Sequence, residues 1–179
     1  MSTELVYVID ADHINVSLFV MCFCVPGIDD FSGVALSTTF SLGSFIPIAA
    51  TVDQASHQPL ILLLEECVAS TTPTLAQDGH IHPIITNNGC LMDSKNTNSR
   101  FLPRRSLSEI RLYLQAFKFT NAEKVYIHCK LVAWDPHVMD SGKKACQYDA
   151  QKGRQVSLCI RFLCSDWIDF LKWKGKFHF

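Results

Sequence analysis

The chain has 179 residues, a length suited to one domain with or without appended ends. It is 48% hydrophobic and 18% charged, which excludes wholesale disorder. A formal net charge of −1 offers no electrostatic case for nucleic acid or an anionic membrane.

Residues 1–40 are apolar and irregular in pattern, broken by Pro26-Gly27 and Gly33. Residues 1–14 carry Glu4, Asp10 and Asp12 and no Lys or Arg, whereas a secretory signal begins basic. The apolar run 16–25 (VSLFVMCFCV) has the length of a signal core. It is too short for a bilayer span, which takes about 20 apolar residues. It reads as a buried or artefactual segment before a true signal. Asn15, in Asn15-Val16-Ser17, is the glycosylation candidate, and it escapes modification if the adjoining run is a signal core.

Residues 41–150 alternate strand-like runs with turn clusters. Residues 45–52 and 60–68 are apolar runs. Between 125 and 134 the alternation is regular: Val125, Ile127, Cys129, Leu131 and Ala133 share one face, and Tyr126, His128, Lys130 and Trp134 fall largely on the other. Cys129 is therefore expected to face the core. Turn chemistry stands at 70–73, 78–79, 87–89, 96–99 and 135–136. Several short strands at such spacing predict a sandwich or barrel. Residues 108–119 are ambiguous. Ser106 with Glu109 resembles a capping box, and Ile110, Leu114 and Phe117 suit a helical stripe, but Ile110, Leu112, Leu114 and Ala116 suit a strand. Residues 151–179 open with Gln151-Lys152-Gly153-Arg154 and close in an aromatic, Lys-rich tail (DFLKWKGKFHF).

Catalytic and metal-binding patterns are poorly supported. No nucleophile elbow, zinc-protease, P-loop or dinucleotide motif occurs. Glu65 and Glu66 are adjacent on a predicted strand, so they point opposite ways and cannot act as a pair. His80 and His82 would share a strand face, but Asp78 is the sole acidic residue at ligand spacing, and a solvated or core role is expected. Cys22-x-Cys24 and Cys159-x4-Cys164 lack tight zinc spacing, so disulfides or unpaired thiols are favoured there. The basic residues Lys95, Arg100, Arg104, Arg105 and Arg111 read as a solvated face, with Arg104-Arg105 as a surface turn rather than a processing site. The reading is of a protein that is not an enzyme, with no metal, cofactor or small-molecule substrate.

Eight cysteines, an even count, point to disulfides and an oxidising compartment. Four stand in distinctive contexts: Cys67 in PLILLLEECVAS, Cys90 in NNGCLMDSK, Cys129 in VYIHCKLVA and Cys146 in GKKACQYD. These four alone permit three pairings, and their positions do not choose among them. Together with GSFIPIAATVDQASHQPL before them and RFLPRRSLSEIRLYLQAFKF between, residues 41–150 resemble the C-terminal subdomain of zona pellucida (ZP) modules. The likeness is to the sperm-binding protein 3 class of egg-envelope glycoproteins, fish relatives included. It implies an all-β, immunoglobulin-like β-sandwich stapled by disulfides, with irregular N- and C-terminal extensions at 1–40 and 151–179.

The same resemblance implies the pairs Cys67–Cys129 and Cys90–Cys146. With Cys129 inward and Cys67 closing an apolar strand, the first is expected as an inter-sheet staple. Each bridge closes a loop of about 60 residues, which restricts the unfolded chain by about 4 kcal/mol in the chain-entropy account. The resemblance further implies a secreted, extracellular-matrix role in an egg coat. Its partners would be other ZP-domain egg-coat proteins, with sperm-surface proteins also implied and a part in acrosome-reaction induction. The module's N-terminal subdomain, with its own four cysteines, has no counterpart in residues 1–40. Assembly with full-length ZP partners is therefore expected rather than polymerisation alone. ZP C-terminal subdomains also occur in receptors and epithelial matrix proteins, which is the competing extracellular reading.

Overall fold

The computed structural model describes residues 2–10, 19–24, 31, 35, 37–55, 59–75, 80–137 and 145–157. Twelve strands run in chain order: β1 (Ser2–Asp10), β2 (Phe19–Phe23), β3 (Thr39–Ser41), β4 (Phe45–Val52), β5 (Ile61–Ser70), β6 (Ile81–Thr86), β7 (Cys90–Leu91), β8 (Arg100–Phe101), β9 (Glu109–Gln115), β10 (Lys124–Trp134), β11 (Cys146–Asp149) and β12 (Arg154–Ser157). A short 3-10 turn, Asp93–Lys95, lies between β7 and β8. The strands form two sheets. The larger has the order β12-β11-β7-β6-β5-β10-β1-β3, and the smaller β2-β4-β9-β8. The sheets pack face to face as an all-β sandwich.

Alternation decides which residues fill the space between the sheets. Val125, Ile127, Cys129 and Leu131 are buried along β10. Ile46, Ile48, Ala50 and Val52 face them from β4, with Ile110, Leu112 and Leu114 from β9. β5 begins with a run of four buried residues, Ile61 to Leu64, then changes phase. Lys130 pairs with Glu66 and Leu131 with Leu64, so Glu65 is the extra residue of a bulge. The bulge sends Glu66 to solvent and returns Cys67 and Ala69 to the core. Without it, the two-residue period would have turned Glu66 inward. Glu65 instead meets Lys130 Nζ at 3.3 Å. A second irregularity falls between Cys67 and Val68 on the β6 side. Pro83, which has no N–H to give, pairs with Val68 there.

The turn signals are local chemistry. Asn87 and Asn88 both have positive φ, 56° and 57°, and Gly89 has 109°. Asn and Gly tolerate that region, so this tripeptide joins β6 to β7 at little steric cost.

Within residues 108–119 the chain forms a strand over Glu109–Gln115, not a helix. β9 pairs with β4 from Phe45↔Gln115 to Thr51↔Glu109. Each of Ile110, Leu112 and Leu114 is thereby buried on one face, whereas a helix would have turned part of that set to solvent. Ser106 caps nothing; its Oγ lies 3.0 Å from Ser108 Oγ.

The N-terminal zone departs from the irregular extension that its sequence suggests. β1 lies parallel to β10 from Glu4↔Lys124 to Asp10↔Lys130, and β2 is antiparallel to β4 from Phe19↔Val52 to Phe23↔Ile48. Neither strand is legible locally, because residues 5–9 and 19–23 are apolar throughout and show no polar alternation. β12 similarly draws residues 154–157 into the large sheet beside β11. Phe23 and Phe40 meet edge to face at 5.9 Å in the core.

Leu112→Ala is expected to cost about 2–5 kcal/mol of stability, the range for an enclosed leucine. Ser106→Ala should stay within about 0.5 kcal/mol, because no helix starts there. Urea unfolding of both variants checks this, and a cost near 1 kcal/mol at Ser106 would point back to a capped helix.

Candidate functional site

Four cysteines lie within the large sheet. Cys67 and Cys129 stand opposite each other on β5 and β10, bonded, with Cα atoms 4.2 Å apart. Cys90 and Cys146 stand opposite on the parallel strands β7 and β11, bonded, with Cα atoms 4.3 Å apart. All four are buried. The expected inter-sheet staple is thus corrected. An inward-facing cysteine on a strand meets its ladder neighbour before it meets the opposite sheet, about 10 Å away.

Arginine links the sheets instead. Arg104 leaves the segment between β8 and β9 and donates to three carbonyls: Leu62 O at 2.6 Å, Glu109 O at 3.0 Å and Leu107 O at 3.1 Å. Leu62 belongs to β5 of the large sheet, and its own N–H donates to Leu107 O at 2.9 Å. Burial pulls the Arg104 guanidinium down to about 10, opposed by the nearby Glu109 carboxylate, so it stays charged at neutral pH. Arg111 is only 6% exposed. It donates to Pro103 O at 2.8 Å, pairs with Glu109 at 3.4 Å and lies over the Phe31 ring. The solvated-face reading of the basic cluster therefore fails for Arg104 and Arg111. Composition marks them as charged and gives no sign that unpaired carbonyls await them. Lys95, Arg100 and Arg105 do lie on the exposed side.

The outer face of the small sheet is aromatic and cationic. Arg100 lies 4.9 Å from the Phe45 ring centroid and 5.0 Å from that of Tyr113. Phe31 and Phe45 flank Tyr113 at 5.4 and 5.6 Å. Phe45 is 37% exposed, so this platform is open to a macromolecular partner. Cys22, Cys24 and Ala49 continue the same face.

The loop 93–99 is held by a carboxylate that sequence inspection missed. Asp93 is buried, and its oxygens lie 2.5 Å from Ser99 Oγ, 2.8 Å from Thr97 Oγ1 and 3.3 Å from His82 Nε2. Gln115 N–H donates to Ser99 Oγ at 2.8 Å, tying the loop to β9. Tyr148 N–H donates to Ser94 Oγ at 2.8 Å, tying it to β11. The His82 and Phe117 rings also meet at a tilt, centroids 5.0 Å apart. His80 is exposed and takes no part in this network. Among the described residues, no group of three or more His, Cys, Asp or Glu is placed to hold a metal ion.

A Ser–His contact occurs where catalysis has no room. Ser70 Oγ lies 2.9 Å from His128 Nε2, but Ser70 is 1% exposed and donates to Thr72 O at 2.5 Å. The pair closes the β5 turn onto β10. A cleft of about 460 Å³ opens between β8 and β11, lined by Phe101, Leu102, Arg104, Ile110 and Gln147 among others. Its floor is bridged by Phe101 N–H donating to Gln147 Oε1 at 2.8 Å. Asn15, Cys159 and Cys164 lie outside the described residues.

The family model for the zona pellucida ZP-C domain matches residues 16–147, which takes in both bonded cysteine pairs and every strand from β2 to β10. The chain belongs to the ZP-C domain family. The zona pellucida sperm-binding protein 3 of Gallus gallus is 34% identical over 134 residues, 72% of this chain and 30% of that protein. The protein of the same name in Rattus norvegicus is 32% identical over 127 residues, 68% and 30% of the two chains. The human one is 32% identical over 117 residues, 63% and 27%. This ZP-C chain therefore spans about three tenths of the length of those relatives. Among its described residues, no helix is long and apolar enough to cross a membrane.

For the ZP-C sandwich, Arg104→Ala should cost about 2–4 kcal/mol, since three carbonyls lose a charged donor in a half-buried setting. Arg104→Lys should recover part of that loss, because an ammonium cannot span the same fork. Thermal or urea unfolding of the two variants measures both.

Proposed function

We propose that this chain is a structural constituent of an egg coat, secreted and incorporated through its ZP-C sandwich into the extracellular matrix around the egg. The observation that supports the reading is the continuous family match over residues 16–147, joined to relatives whose names place them in the zona pellucida. The role is non-catalytic. Its partners are other ZP-domain egg-coat proteins, and the exposed platform of Arg100, Phe45 and Tyr113 is the surface best suited to meet them. Sperm binding is the finer role that the relatives' names suggest, and a contribution to acrosome-reaction induction is the role that the family resemblance adds. Nucleic acid and small-molecule substrates play no part in the reading.

The proposal takes residues 41–150 as the ZP C-terminal subdomain, with β1 paired along β10 and β2 along β4. Its cystines are Cys67–Cys129 and Cys90–Cys146, both formed in the secretory pathway. Limited proteolysis of the full chain under native conditions should spare β2 together with both bridges, because β2 is laddered to β4 and Phe23 is enclosed in the core.

The deciding experiment has two readouts on the chain expressed through a secretory route. Non-reducing peptide mass mapping should recover Cys67 linked to Cys129 and Cys90 linked to Cys146. Incubation with isolated egg-coat filaments should carry the protein into the pellet, and Arg100→Glu should reduce that co-sedimentation several-fold without altering the peptide map. A correctly bridged protein that ignores egg-coat filaments and binds epithelial matrix would remove the egg-specific role. Free thiols in a folded, soluble product would remove the extracellular one.

A further inference from the structure

The outer face of the small sheet carries a thiol pair that neither the family match nor the bonded cysteines explain. Cys22 lies in β2 and Cys24 directly follows it, so on extended backbone both side chains leave the same face. Their sulfurs are 3.4 Å apart and unbonded. Cys24 N–H donates to Pro47 O at 2.8 Å, which fixes the second cysteine against β4. The two differ in access. Cys24 is fully enclosed with Phe31 and Ala49, while Cys22 is half-buried at the edge of that cluster.

Two sulfurs alone make half of a tetrahedral metal site, and no third ligand joins them among the described residues. A reachable thiol in contact with a sheltered one suits a different chemistry, in which the first attacks a disulfide and the second resolves the product.

We propose that Cys22 and Cys24 form a thiol–disulfide exchange site that acts on protein disulfides, with Cys22 as the attacking thiol and Cys24 as the resolving thiol. The Cys22 thiolate attacks one sulfur of the incoming disulfide. That S–S bond breaks, and the departing sulfur leaves as a thiolate that takes a proton from solvent. Cys22 is then joined to the remaining half of the partner. Cys24 gives its proton to solvent and attacks Cys22 Sγ, closing a Cys22–Cys24 bond and expelling the second half as a thiolate. Two thiols of this chain are oxidised and one partner disulfide is reduced to two thiols. Residues two apart on a strand have Cα atoms roughly 6.7 Å apart, near the upper limit for a disulfide, so the closed form is reactive and the exchange is reversible.

The local electrostatics agree with this division of labour. The hydrogen bond from Cys24 draws the Cys22 thiol down from 9.0 to about 7, against the opposing effect of burial. The same contact, then burial, then the charge on Cys22 push the Cys24 thiol up. Cys22 is thus partly ionised at neutral pH, and Cys24 waits as a thiol.

The test uses the full secreted chain with glutathione disulfide as the probe. Mild reduction of the native protein frees Cys22 and Cys24 while the enclosed cystines of the large sheet are spared. Peptide mass mapping should then find glutathione on Cys22 first, replaced with time by a Cys22–Cys24 bond. Cys24→Ser and Cys24→Ala should each trap glutathione on Cys22, lengthening the life of the adduct by about tenfold or more. Cys22→Ser should slow modification of the pair by a similar factor while the large-sheet cystines remain mapped as before. The rate should rise with pH and level off a little above 7. Four results would overturn the proposal: adduct on Cys24 as early as on Cys22; no longer life in the Cys24 variants; a rate still climbing near pH 9; or an untreated protein with Cys22 and Cys24 bonded to Cys159 and Cys164.

Discussion

The antiparallel ladder between β5 and β10 is the constraint from which the other elements take their places. It is the longest pairing in the fold, from Tyr126↔Ser70 to Trp134↔Ile61, and the Cys67–Cys129 bond sits within it. β6 is laid against one side of it and β1 against the other. The bulge at Glu65 lets one strand carry two charged residues through its middle and still present Leu62, Leu64, Cys67 and Ala69 to the core. The small sheet is fastened to this ladder through the polar bonds around Leu62. The carbonyl of that residue accepts from Arg104, and its N–H donates to Leu107. The link at Leu62 is therefore made by a guanidinium and main-chain groups, and the Gln147 side chain makes another at Phe101, while the cystines act within one layer.

That division bears on what each kind of bond does. A cystine between ladder neighbours restricts the unfolded chain and fixes register, since a slip of one residue would part the sulfurs. A guanidinium on three carbonyls does not restrict the unfolded chain at all. It satisfies groups at the seam between sheets, where the ladder supplies no partner. The two devices are complementary, and the seam with Arg104 also borders the cleft between β8 and β11.

The sequence made some of this legible and hid the rest for physical reasons. β10 was plain, because a strand with one face in the core repeats its apolar residues every second position. The Asn87-Asn88-Gly89 turn was plain, because positive φ favours those residue types. β9 was ambiguous, because Ile110 and Leu114 satisfy both the helical and the strand period; its pairing with β4 decides the matter. β1 and β2 were illegible, because residues 5–9 and 19–23 are apolar throughout and lack the polar alternation that marks a strand face. The cysteines themselves did not select a pairing, and that expectation came from family likeness. Asp93 and Arg104 were missed as structural groups because their hydrogen-bond partners are brought to them only by the fold.

The parallel seating of β1 beside β10 governs the order in which the molecule can be assembled during synthesis. Glu4 is made some 120 residues before its ladder partner Lys124. β1 therefore leaves the ribosome long before the slot it occupies exists. The β5–β10 pair must be in place first, and until β1 arrives one side of β10 presents bare N–H and C=O groups. A chaperone that held that side shut, or a strand from another molecule that reached it sooner, would decide between a closed monomer and a strand-exchanged pair.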